Sequence, residues 1–178
     1  TTRIRIMGIA TKDDSQIVFI DTPGIFEPRR RLDRAMVDAA WRGASDADRI
    51  MLVVDAKRGM DRDTARIVDG LKESKRTVAL ILNKIDLVKR EDLLALAAEF
   101  NAAEIFDETF MISALKGDGV ADILSQLAGL LPEGPWMFPE DQLSDLPQRL
   151  MAAEVTREYL FLQTHQEVPY STTVETES

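Results

Sequence analysis

The chain contains no cysteine. That excludes disulfides, thiolate nucleophiles and cysteine-based metal sites, and it fits a reducing compartment. Histidine is almost missing too. The single His165 falls past a helix near the end of the chain and reads as a surface residue rather than a catalytic base. No apolar run approaches the roughly 20 residues of a membrane span, and no signal peptide opens the sequence. Basic charge is scarce: 22 Lys and Arg stand against 31 Asp and Glu, a net charge of −9. This segment is therefore not itself a nucleic-acid platform, because phosphate binding needs clustered Lys and Arg. What remains is 178 residues, 45% hydrophobic and 30% charged. That is enough for one globular domain with a full core and a short appendage.

Along the chain, "RIRIMGIAT" and "IVFIDTPG" flank the turn residues "KDDSQ", which predicts an antiparallel hairpin. Three apolar runs follow, at Arg49–Ala56, Thr77–Lys84 and Glu108–Ala114. Runs this short and unbroken suit strands covered on both faces. Helical patterns alternate with them: "LDRAMVDAAWRGA", "RDTARIVDGLKES", "REDLLALAAEFNA", and a last one carried by Val120, Ile123, Leu124, Leu127 and Leu131. Trp41 and Trp136 read as packing residues. The alternation predicts an α/β fold, an open and mostly parallel sheet with flanking helices, whose ligands sit beyond the carboxyl ends of the strands. Four of the seven prolines then fall within "PEGPWMFPEDQLSDLP", which reads as a linker. One further helix, with Met151, Val155, Tyr159 and Leu162 on one face, and the strand-like "VPYSTTVETES" complete the chain.

Three strands end in polar motifs. "NKID" closes one at Asn83, Lys84 and Asp86. An Asn there suits a purine N7, and a Lys stem can lie along a base face. A carboxylate is a forked acceptor for the adjacent N1–H and N2 amino donors of guanine. Adenine offers no such pair, so Asp86 would reject it. "DTPG" (Asp21, Thr22, Pro23, Gly24) closes an earlier strand. Asp21 could hold a hydrated Mg²⁺, and Gly24 would let a backbone N–H approach a terminal phosphate. "SALKG" closes the last strand, where the Ala114 N–H could meet the guanine O6 and Ser113 could buttress Asp86, with Leu115 beside them. Singly, these are also a strand-to-loop boundary, a Pro-Gly turn and a strand-to-helix turn. Together their order favours a guanine nucleotide: Asn83 follows Asp21 by 62 positions and Ser113 follows Asn83 by 30.

On these motifs the chain resembles the TRAFAC-class GTPases, and within them the Era family. "DTPG", "NKID" and "SA" match the third, fourth and fifth guanine-nucleotide motifs of the class. "TTR" resembles the tail of switch I, whose threonine, here Thr1 or Thr2, helps hold Mg²⁺ beside the γ-phosphate. Der and MnmE GTPases share "TTR" and "DTPG". "FPEDQLSDLPQRLMAAEVTREYLF" and "VPYSTTVE" resemble the linker and the opening of the Era KH domain. The resemblance implies a partial G domain over 1–131, a linker over 132–147 and the beginning of a KH-type RNA-binding domain over 148–178. No P-loop, G-x-x-x-x-G-K-S/T, is found, since Lys12 in "GIATKDD" stands between Thr11 and Asp13. The expected sheet is thus of the P-loop-NTPase kind without its first strand and P-loop, and the chain as written is expected to be neither independently stable nor active alone.

The resemblance further implies a GTP-binding and GTP-hydrolysing switch that uses GTP or GDP and Mg²⁺. It implies 16S rRNA and the small ribosomal subunit as partners, no DNA, and a cytoplasmic place with room for peripheral association at the inner membrane. Hydrolysis would be attack of water on the γ-phosphate, driven by positioning and electrostatics. Ile25 stands where Ras-like members carry the water-orienting Gln, so no catalytic side chain is assigned. The basic "RRRLDR" reads as a solvated helix start rather than an RNA contact. The alternatives are a non-catalytic G-domain-like scaffold and a Der- or MnmE-like GTPase of another RNA pathway.

Overall fold

The computed structural model describes residues 6–22, 40, 41, 43, 44, 47–144, 152, 153, 155, 156, 159, 160 and 163. Thr1, Thr2, Pro23, Gly24, Ile25, the stretch 29–34 and His165 lie outside the described residues.

The predicted hairpin forms. β1 (Ile6–Lys12) pairs antiparallel with β2 (Ser15–Asp21), from Ile6 opposite Asp21 to Lys12 opposite Ser15. β3 (Ile50–Asp55), β4 (Val78–Asn83) and β5 (Phe106–Ile112) form a parallel sheet in that order. Between and after them run α1 (Arg62–Ser74), α2 (Arg90–Asn101) and α3 (Val120–Leu130).

β4 explains why the apolar run was unbroken. Val78 to Leu82 are all buried, because the middle strand is covered on both faces. Successive side chains then serve opposite layers. Leu80 and Leu82 pack with Val54, Val68 of α1, and Leu93, Ala97 and Phe100 of α2. Ala79 and Ile81 pack with Phe110, Ile112, Ile123 and Leu127 of α3, and with Ile17 of the hairpin.

α1 starts at Asp61, whose carboxylate accepts the Thr64 N–H at 2.9 Å and so satisfies one of the helix's unpaired donors. Its Gly70 is where Trp41 settles. A Cβ at Gly70 would lie 2.7 Å from the Trp41 ring carbon Cη2, so only glycine admits the indole. Trp41 is a packing residue, as predicted, against the cluster of Ile50, Leu71 and Val78.

The hairpin and the parallel strands form two sheets among the described residues: β1–β2 is a two-stranded sheet, and no ladder joins β2 to β3, in keeping with the expected G-domain sheet that lacks its first strand. What attaches the hairpin is apolar burial of Ile17, with Phe19 beside it, on the α3 side of the sheet. β5 also stops at Ile112, so Ser113 and Ala114 leave the ladder and turn into a loop.

The stretch after α3 is tied along the hairpin. The Trp136 indole donates to Asp14 O at 3.0 Å. The Gln16 carboxamide accepts the Met137 and Phe138 N–H groups at 2.9 and 3.0 Å and donates to Phe138 O at 2.8 Å. The Ile9 N–H donates to Leu143 O at 2.9 Å, and the Ser144 hydroxyl donates to Met7 O at 2.8 Å. The last two bonds cover part of the outer edge of β1, which would otherwise present unpaired backbone groups.

The last described residues, from Ala152 to Gln163, are helical, as the spacing predicts. Of the apolar face named from the sequence, Val155 and Tyr159 are exposed, while Ala153 beside them is buried. Periodicity marks an apolar face but not what covers it. No helix among the described residues is long and apolar enough to cross a membrane.

Candidate functional site

The carboxyl ends of the parallel strands stand in a row, with Asp55 opposite Asn83 and Asn83 opposite Ile112. The chain leaves β4 through Lys84, whose φ of 66° and ψ of 36° are left-handed. That conformation costs a lysine about 1–2 kcal/mol, and strain of this kind collects at functional sites. It leads into the short 3₁₀ turn Ile85–Leu87, which brings Asp86 to the end of β5.

There the Ser113 hydroxyl donates to Asp86 Oδ1 at 2.7 Å. Ser113 is the one fully buried polar residue among those described. Its N–H donates to Asp118 O at 3.0 Å, and its carbonyl accepts the Gly117 N–H at 2.8 Å. Gly119 closes this loop with φ of 73°, and a Cβ there would lie 2.8 Å from Met111 O. A larger residue would push the loop off β5. The Asp86 side chain keeps 12% of its accessible surface and has Lys116 Nζ 3.9 Å from Oδ2. One carboxylate oxygen is thus anchored by Ser113, and the group is held in place rather than free to rotate.

The Ser113 hydrogen bond, chiefly, holds the Asp86 carboxyl below the usual carboxylate range. Partial desolvation opposes it, while the residue's own backbone and the Lys116 charge add to the lowering. A carboxylate with a depressed folded-state pKa contributes stability above its unfolded pKa and loses it as pH falls through the folded value. Base binding should therefore not change on account of Asp86 between neutral pH and the ordinary carboxylate range, and should fall only in stronger acid. In Ser113→Ala that fall moves up toward the ordinary range. GDP affinity of the full-length protein, followed against pH for both forms, checks this.

Asn83 Oδ1 accepts the Lys84 N–H at 2.7 Å and the Ala114 N–H at 3.0 Å. The side-chain amide nitrogen makes no hydrogen bond within the described residues and remains a donor suited to a purine N7. The Ala114 N–H, expected to face a base oxygen, is directed at Asn83 instead, so a base could only share it. Leu115 is 91% exposed and stands at the rim.

Asp21 ends β2 and is exposed, at the open end of the hairpin opposite Ile6, with the half-buried Thr22 next to it. The structure therefore joins Asn83, Lys84, Asp86, Ser113 and Ala114 in one site and leaves Asp21 in the other sheet. Of the residues expected around phosphate and metal, Pro23, Gly24, Thr1 and Thr2 lie outside the described residues. Among the described residues no group of three or more His, Cys, Asp or Glu side chains gathers. A hydrated Mg²⁺ does not need one, since it keeps several waters and takes one or two carboxylates, and an exposed strand-end aspartate fits that contact.

Two residues of this edge escaped sequence reasoning. Lys84 Nζ donates to Asp55 Oδ2 at 2.7 Å. Lys116 approaches Asp86. Asp55 was findable, because it ends β3 in "LVVDA" just as Asn83 ends β4.

A family profile for the elongation factor Tu GTP binding domain matches residues 1–133. The fold is accordingly that of a GTPase G domain. GTPase Era of Sinorhizobium medicae is 60% identical over 177 residues, covering 99% of this chain and 57% of that protein. The crystal structure of Era in complex with MgGDPNP and nucleotides 1506–1542 of 16S ribosomal RNA superposes with a TM-score of 0.87 at 37% identity, over 96% of this chain and 59% of that one. An Aquifex aeolicus Era variant bound to GDP·AlF4⁻ gives 0.85 at 36% identity, over 96% of this chain and 58% of that one. The chain belongs to the Era family of GTPases and spans 57% of the length of the Sinorhizobium medicae relative.

Proposed function

We propose that the protein binds GTP and GDP with Mg²⁺, hydrolyses GTP, and acts as a nucleotide-controlled switch that binds 16S rRNA in assembly of the small ribosomal subunit. The observation that carries the nucleotide part is the Ser113–Asp86 hydrogen bond of 2.7 Å, which fixes a forked acceptor at the strand edge before any base arrives. Such preorganisation strengthens recognition because less freedom is lost on binding.

In this reading Asp86 takes the N1–H and N2 amino donors of guanine, Asn83 donates to N7, and the Lys84 stem lies along the ring. Asp21 and Thr22 stand on the phosphate side with Pro23 and Gly24, and Thr1 or Thr2 approaches the metal. Bound Mg²⁺ would supply charge neutralisation at the phosphates. With Ile25 aliphatic, no side chain of this stretch orients the attacking water, so hydrolysis is slow unless another group or a partner supplies that function. Residues 1–131 form the nucleotide-binding part, 132–147 the linker, and 148–178 the start of a KH-type RNA-binding domain. The place of action is the cytoplasm.

A non-catalytic scaffold is less well supported, because it has no use for a carboxylate anchored toward a base. The test is competition binding on the full-length protein. GDP should outcompete ADP by about 10⁴-fold or more. A fragment of 16S rRNA should bind with an affinity that differs between a GTP analogue and GDP. Equal affinity for GDP and ADP would overturn the nucleotide reading, and RNA binding indifferent to nucleotide would overturn the switch.

A further inference from the structure

Asp55 sits where three constraints meet. It is the last residue of β3, in register with Asn83. Its Oδ1 accepts the Lys57 N–H at 2.9 Å, and its carbonyl accepts the Arg58 and Gly59 N–H groups at 2.9 and 3.0 Å. Its remaining oxygen, Oδ2, takes Lys84 Nζ at 2.7 Å. The loop thus fixes the carboxylate, and the carboxylate fixes the ammonium at the far end of a long side chain.

Stability does not account for this pair. Lys84 keeps 52% of its side-chain surface and Asp55 keeps 25%. Pairs this exposed contribute little to folding, because water and salt screen them and two side chains must be ordered. A lysine free in solvent has about 2 kcal/mol of rotamer entropy to lose. At a ligand edge, restraining it beforehand serves binding instead. The Lys84 backbone is already in a left-handed setting, so its stem leaves the strand end in one direction, and Asp55 ties down the other end.

We infer that Asp55 is a positioning residue for nucleotide binding: by holding Lys84 Nζ it keeps the lysine's methylene stem stretched across the strand edge as a platform for the purine ring. This rests on the guanine-nucleotide reading of the site. The low carboxyl pKa of Asp55, caused first by the Lys84 hydrogen bond, agrees with a partner that stays ionised through the physiological range.

A double-mutant cycle on the full-length protein, read as GDP affinity by fluorescence titration, tests it. Lys84→Ala removes the platform, and Asp55→Asn removes the charge while keeping an acceptor for the Lys57 N–H. Asp55→Asn should weaken GDP by about two- to tenfold in the wild-type background, the size expected for one long side chain left unrestrained. In the Lys84→Ala background it should cost less than about twofold, since the side chain it restrains is gone. Asp55→Glu should recover part of the loss. An equal loss in both backgrounds assigns Asp55 a structural role in its loop and overturns the inference, as does no loss in either. If Lys84→Ala itself leaves GDP affinity unchanged, the base-platform reading fails and the inference falls with it.

Discussion

Replacing Asp86 by asparagine is expected to turn the site from guanine to xanthine. The wild-type carboxylate offers acceptors only, and Ser113 anchors one oxygen at 2.7 Å. Guanine brings two donors to it. Asparagine keeps one acceptor but sets an NH2 group against a donor of the base, leaving both unpaired. Sites built around such hydrogen bonds discriminate by about 10⁴-fold when the match is lost, so a fall in GDP affinity of at least about 100-fold is expected. Xanthine replaces the N2 amino group by an oxygen, which accepts from the new amide. The affinity for xanthosine diphosphate should rise as that for GDP falls. Because Ser113 can still donate to the asparagine oxygen, the loop from Ser113 to Gly119 keeps its anchor and the fold is expected to survive. Titration of both nucleotides on the full-length protein checks this, and an unaltered guanine preference would mean that Asp86 does not read the base.

The largest stability effect is expected at Phe100. It is fully buried on α2 among Val54, Val68, Leu80, Leu82, Leu93 and Ala97. Its ring also meets Phe106 edge-to-face, with centroids 5.9 Å apart and planes at 70°. Phe100→Ala removes the transfer free energy of the ring and leaves a cavity, together about 3–5 kcal/mol. The lost ring contact accounts for about 0.5–1.5 kcal/mol of it. For a protein of this size class that lowers Tm on the order of 10 °C. Leu94, on the same helix but 61% exposed, is the control. Leu94→Ala should stay within about 0.5 kcal/mol. Similar thermal shifts for the two variants in the full-length protein would show that α2 does not pack on the sheet through Phe100.

These two residues also mark what the sequence discloses. Burial leaves a periodic trace, so β4, α1, α2, α3 and the hairpin could be placed from the runs and their punctuation. The motif residues Asn83, Asp86 and Ser113 could be brought together because parallel strands deliver their ends to one edge. Edge pairing leaves no such trace. A run such as "IVFID" looks the same whether or not its neighbour bonds to it; the division into two sheets was legible only through the missing P-loop, whose strand was expected beside the one ending in Asp21. The left-handed turn at Lys84 was hidden as well, since lysine carries no local mark for positive φ. So was Gln16: one amide in a turn region does not announce that it will clasp a segment over a hundred positions away.

That clasp makes the stretch from Trp136 to Ser144 a gauge of length. Gln16 accepts from two successive N–H groups and returns a bond to the second residue's carbonyl, which allows one longitudinal setting. The other end is pinned at Met7 by Ser144. The spacing of two points on a rigid β ribbon therefore dictates how many residues can lie between Phe138 and Ser144. Inserting or deleting one residue there would unseat one end or the other.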